Sequence, residues 1–129
     1  MPLLLKRLLY DATKETDGVW FDFEAGSRLK IARANNPKWQ EWFRIKGERD
    51  AASDEDVELT HEEWCDLFAK TALTDWDGLE EETGVPLECT EETRYSSLFA
   101  YKELFDFVLR KTQKKARFRV ESKERDEKN

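Results

Sequence analysis

The chain has a single histidine, His61, and only two cysteines, Cys65 and Cys89, among 129 residues. Structural zinc sites use four such ligands at characteristic spacings, so no metal centre is expected. His61 and Cys65 are four apart and share one face of a predicted helix, but two ligands do not close a site. General acid–base catalysis needs a partner nucleophile or carboxylate assembled in a cleft, and no such pair stands beside His61. The protein is therefore not expected to be an enzyme, and no cofactor is expected. The cysteines are far from any CxxC pattern and read as two reduced thiols. The five glycines never form GxGxxG or a phosphate loop. The segment MPLLLKRLLY is interrupted by Lys6-Arg7 and lacks a cleavage site, so it is not read as a signal peptide. No run approaches the roughly 18 apolar residues of a membrane span. A soluble, cytoplasmic protein without a membrane partner is expected.

What the chain has in excess is charge and aromatic rings. Charged residues are 40% of the total, against about 25% in an ordinary domain. Aromatics are 12%, with five Trp and eight Phe, which argues for a folded core rather than a disordered chain. The charge is unevenly spread. Residues 48–93 hold 17 acidic and 2 basic groups, a net −15, while residues 1–47 carry +3 and residues 94–129 carry +5. A chain so divided can attract its own copies or a mixed-charge partner, which makes a homo-oligomer a candidate. Its overall −7 argues against nucleic acid as a partner. The basic run from Arg110 to Arg119 is read as balancing a helix end or neutralising acidic groups.

The pattern predicts a single α+β domain over residues 1–120: an N-terminal β-hairpin or small antiparallel sheet, then three to four helices. The hairpin covers residues 17–33, with Val19, Phe21 and Phe23 on one face opposite Leu29 and Ile31. Residues 3–10 are the candidate third strand, because an isolated hairpin is marginal in water. A helix over 36–46 starts from Asn36 as cap and Pro37 at the first position, and stops at Gly47. Residues 48–59 form an acidic linker without EF-hand spacing. Thr60 and Glu63 match a capping box for a helix over 60–72 with Trp64, Leu67, Phe68 and Thr71 on one face. Residues 73–83 turn the chain, with Trp76 exposed in an acidic turn. Thr90 caps a helix over 90–99, and another runs over 101–116 after a bend near Phe99-Ala100. Residues 121–129 have no apolar anchor and read as a frayed, disordered tail.

The stripe from Tyr95 to Val108 reads mostly as core. The chain nevertheless carries more large apolar side chains than a short helix on a small sheet can cover. The surplus predicts an exposed groove for a partner helix. The candidate partner-binding residues are Trp76, Leu98, Phe99, Tyr101, Leu104, Phe105 and Val108. An alternative rests on the −15 stretch: an acidic inhibitor whose carboxylates, among them Glu80, Glu81 and Glu82, imitate nucleic acid.

Several of these segments together resemble the tail assembly chaperones of long-tailed bacteriophages. The residues that carry the likeness are Gly18-Val19-Trp20, Leu29-Lys30-Ile31-Ala32, Asn36, Asp75-Trp76-Asp77-Gly78, Gly84-Val85-Pro86, Thr90-Glu91-Glu92 and the helix through Leu98, Leu104 and Val108. The resemblance spans most of residues 18–120. It implies a protein of the host cytoplasm that binds and solubilises the tape measure protein, a long helical chain insoluble alone. Such a chaperone is displaced when the tail tube protein polymerises, which makes the tail tube protein a candidate second partner. It is absent from the finished virion. Some members of that family are made in two forms by a translational frameshift.

Overall fold

The computed structural model describes residues 4–50 and 58–119. A 3-10 turn at Leu5–Leu8 leads into α1 (Ala12–Asp17), β1 (Val19–Asp22) and β2 (Arg28–Ile31). Next come α2 (Pro37–Asp50), α3 (His61–Thr71) and β3 (Leu73–Asp77), then α4 (Glu91–Ala100) and α5 (Lys102–Lys111). A second 3-10 turn, Lys115–Phe118, closes the described chain. The strands form one antiparallel sheet in the order β1-β2-β3, and the helices pack against it. This is the expected α+β fold. The linker residues 51–57 and the tail read as frayed, 121–129, lie outside the described residues.

Period-two alternation places Phe21 opposite Leu29 and Val19 opposite Ile31, the face expected for the hairpin. Leu29 and Ile31 are fully buried because β2 is central. Gly18 opens β1 at φ +96, where a Cβ would lie 2.8 Å from the Ile31 carbonyl carbon, so only glycine lets the two strands approach.

The third strand is not where the N-terminal residues suggested. Leu5–Leu8 form the 3-10 turn, and Tyr10 makes a lone bridge to Arg119. The strand is Leu73–Asp77, a segment the pattern had assigned to a turn. The register explains the misreading: Leu29 pairs with Trp76, but Ile31 pairs with Leu73, with an irregularity between Lys30 and Ile31. Thr74 is the extra residue of a bulge. It turns Leu73 and Trp76, three apart, to the same buried face, and so breaks the alternation that marks a strand.

Helix starts follow their caps. Thr60 and Glu63 form the capping box of α3, and Thr90 with Thr93 that of α4. Asp11 caps α1, a short helix that the pattern did not reveal, by accepting from the Thr13 and Lys14 amides. Ends were less legible. Gly47 does not stop α2, which runs on to Asp50. Glycine in a helix interior costs about 1 kcal/mol against alanine. Helical contacts around it oppose that cost, chiefly the ion pair of buried Lys46 with Glu63 of α3. The helix expected to reach residue 116 ends at Lys111. The Thr112 hydroxyl then donates to the Leu109 carbonyl at 2.7 Å, and the chain bends so that Phe118 is fully buried against Phe21.

Asn36 joins three elements. Its Oδ1 accepts from the Lys38 and Trp39 amides at 2.9 and 3.1 Å, capping α2. Its Nδ2 donates to the Arg33 carbonyl at 2.7 Å and to the Thr71 carbonyl at the end of α3 at 3.0 Å. The side chain is 1% exposed, so both donors and the acceptor are satisfied within the protein.

Two outcomes are expected. Asn36→Ala removes the cap, about 1 kcal/mol, and leaves buried carbonyls without a donor, about 1–3 kcal/mol more. Urea unfolding will show a loss of about 3 kcal/mol. The second concerns Glu63, whose carboxyl is held below the usual carboxylate range by hydrogen bonds from Lys46 and from the Thr60 backbone. Its folded value lies below its unfolded value, so its contribution is full above about pH 4.3 and is lost as pH falls through the folded value. Glu63→Gln will melt below the wild type at pH 7, and the gap in Tm will close as pH falls below about 4.

Candidate partner-binding groove

The break between α4 and α5 shapes the surface. Tyr101 serves as the C-cap of α4 and the residue before α5, with φ −114 and ψ 100, an extended conformation that ends one helix and redirects the next. The elbow divides the apolar stripe between three environments. Leu98 and Val108 are fully buried, and Leu104 is 5% exposed. Phe99 and Tyr101, at 49% and 61%, face out. Phe105 is half-buried.

Phe99 and Phe105 both reach His61 on the α3 side of the elbow. His61 lies over both, with ring centroids 5.5 and 5.0 Å away, and Tyr95 stacks on Phe99 at 6.2 Å. Phe105 continues inward to Phe68, which touches Trp64 and Trp39. His61 is exposed at the first turn of α3, as expected. Its Nε2 is 3.7 Å from the Cys65 Sγ. Burial pushes the Cys65 thiol up to about 11, and the Cys89 thiol is also raised by burial. At neutral pH both are thiols rather than nucleophilic thiolates. Among the described residues, no three His, Cys, Asp or Glu side chains are grouped to hold a metal ion. Nor is any helix there long and apolar enough to cross a membrane.

Tyr101 and Leu104 face the other way, into an open groove of about 840 Å³. One wall is the elbow, with Ala100 at its turn. The other is the segment Leu79–Leu87, a small arm folded back on itself. The arm is held by the Leu87 amide donating to the Leu79 carbonyl and the Glu81 amide to the Val85 carbonyl, each at 2.8 Å. Gly84, at φ +82, makes its tight return. Phe23, at the end of β1, closes the floor.

Trp76 is not exposed, contrary to the sequence reading; it is 6% accessible. The bulge in β3 points it inward, beside Leu29. Its indole Nε1 donates to the Leu87 carbonyl at 2.8 Å and so fastens the arm to the sheet. Trp76, Leu98, Leu104 and Val108 are therefore mainly supports of the surface. Phe99, Tyr101 and part of Phe105 are what a partner can reach. The groove also recruits Phe23, Leu79 and Leu87, which the sequence reading did not select. A local signal for the arm was present, since Leu79 and Leu87 flank the turn residues Thr83-Gly84.

Trp76→Phe keeps the ring but deletes the hydrogen bond to Leu87. The expected local loss is about 1 kcal/mol. Amide exchange at Leu87 and Glu81 will be about fivefold faster, with the exchange of β2 little changed.

Comparison with known proteins agrees with the phage likeness of the sequence at a coarser level. The profile of the YdaY prophage protein family matches residues 30–129. That range takes in the second half of β2, β3, the helices α2 to α5 and both walls of the groove. No curated protein and no solved structure gave a significant match. With the match extending over most of its length, the chain is phage-derived and belongs to the YdaY prophage protein family.

Proposed function

We propose that this prophage protein is a tail assembly chaperone that binds helical segments of the tape measure protein and keeps them soluble until the tail tube forms. The observation that carries the reading is the helix break at Tyr101. It leaves Tyr101 exposed at the wall of an apolar groove and Phe99 half exposed on the α3 side of the same elbow. Large exposed apolar groups rimmed by charge mark sites where another polypeptide docks. An amphipathic helix laid in a groove is the common solution for such a surface. The highly charged remainder of the chain keeps the complex in solution. The reading places the protein in the host cytoplasm, asks no covalent chemistry of it, and makes it absent from the finished virion. The carboxylates Glu80, Glu81 and Glu82 line an apolar groove, a setting suited to side-chain docking rather than to imitation of a phosphate row.

Co-expression with the tape measure protein of the same prophage tests the reading. The tape measure protein is expected to move to the soluble fraction and to co-purify. Phe99→Ser with Tyr101→Ser will reduce recovery at least about tenfold, the scale of losing two anchor side chains, while circular dichroism stays unchanged because both positions are exposed. Absence of co-purification with the wild-type chain overturns the assignment.

A further inference from the structure

We propose that the groove between the arm and the α4–α5 elbow takes one class of occupant, an amphipathic helix with lysine or arginine along the edges of its apolar face. The proposal rests on the reading of the protein as a polypeptide-binding chaperone and adds the charge of the segment that it holds.

The floor and the rim of the groove differ in chemistry. Phe23 at the floor, with Leu79, Leu87, Ala100, Tyr101 and Leu104 along the walls, supplies an apolar lining. Around it stand five carboxylates, Glu24, Glu80, Glu81, Glu82 and Glu103, with Lys102 as the single cation among the lining residues. Some acidic side chains elsewhere have an ion-pair partner: Glu15 with Arg33, Glu63 with Lys46, Asp66 with Lys70 and Asp77 with Arg28. None of the five rim carboxylates enters an ion pair among the described residues. Three of them are consecutive on the arm, whose backbone is held by Trp76 and by its own hydrogen bonds.

Like charges held together on one rim raise each other's energy, and a cationic partner relieves that repulsion while its apolar face covers the floor. A helix with acidic edges would add to the repulsion, and one with uncharged polar edges would leave it unrelieved. The negative field also extends along the surface. A second hollow, of about 630 Å³, shares Phe23, Glu24 and Glu103 with the groove and adds Asp22 and Asp106, with Arg110 as its cation. A helix lying along both hollows therefore meets carboxylates over more than one turn. At physiological salt, where screening acts over about 8 Å, such rim charges govern association rate and partner choice.

Two labelled peptides test this, sharing one leucine-rich helical face, one with lysine and the other with glutamate at the flanking positions. Binding to the full chain is read by fluorescence anisotropy, and its place by amide chemical shifts. The lysine peptide is expected to bind at least tenfold tighter, about 1.4 kcal/mol, with shifts at Leu79, Leu87, Ala100 and Tyr101. The ratio should shrink as salt is raised. Glu80→Lys, Glu81→Lys and Glu82→Lys combined should reverse the preference. If that variant fails to fold, the corresponding Gln triple variant should reduce the preference at least about threefold. Equal binding, preference for the glutamate peptide, no binding of either, or shifts confined elsewhere overturns the proposal. So does sedimentation showing that a second copy of the chain fills the groove and blocks the lysine peptide. Recovery of the tape measure protein without a charge preference defeats this inference alone. A charge preference without that recovery leaves the inference standing and defeats the tail-assembly reading.

Discussion

The arrangement depends first on the four hydrogen bonds of Asn36. They tie the exit of β2, the start of α2 and the last turn of α3 to one buried side chain. Fixing the Thr71 carbonyl fixes the place where β3 begins, since Ala72 immediately follows and its carbonyl accepts from the Ala32 amide at 2.7 Å. β3 is thereby delivered to the open edge of β2. The strand carries Trp76, Trp76 holds Leu87, and Leu87 closes the arm. The groove is thus the far end of a chain of contacts that starts at the buried amide side chain of Asn36. An amide suits the position because it both donates and accepts without bringing a charge into the core.

The helices add a second set of constraints. α3 and α4 are joined by Arg94, whose Nε donates to the Ala69 carbonyl at 2.9 Å. α2 and α3 are joined by the Lys46–Glu63 pair and by the Trp42 indole donating to Asp66 at 2.9 Å. These cross-links hold the elbow at Tyr101 against a framework rather than leaving it at a free helix end. The basic turn after α5 is used in the same way. The Arg117 guanidinium covers Phe21 at 4.5 Å and donates to the Trp20 carbonyl at 2.7 Å, and Lys111 lies over the rings of Phe21 and Phe107. Burial, and then the nearby charges of Lys114, Arg110 and Arg117, hold the Lys111 amine below its ordinary range. The described part of the basic run therefore works in part as a clasp over β1.

The proposed function asks this phage-derived protein to hold a partner helix. The exposed rings of Phe99 and Tyr101 sit on opposite sides of the elbow, and the groove beside Tyr101 is open. Binding a helix there needs little reorganisation, which lowers the entropic cost of association. In the proposal the carboxylate rim would add selectivity among helices that are otherwise equivalent in their apolar faces.

The sequence by itself determined the local starts. Asn36-Pro37, Thr60 with Glu63, and Thr90 announce α2, α3 and α4, because capping chemistry is carried by residues within one turn. The hairpin face through Phe21 and Leu29 was equally legible, since alternation is a local property. What only the tertiary structure decided was anything set by contact across the chain. β3 was hidden because a bulge at Thr74 breaks its alternation, and its partner strand lies more than forty residues earlier. Trp76 looked like a surface ring in an acidic turn until pairing with Leu29 buried it. The stripe from Tyr95 to Val108 could not be divided into core and surface by periodicity, because the division is made by the break at Tyr101 and by the arm that folds beside it. Burial is a property of the assembled neighbours, and a helical period records only which side chains share a face.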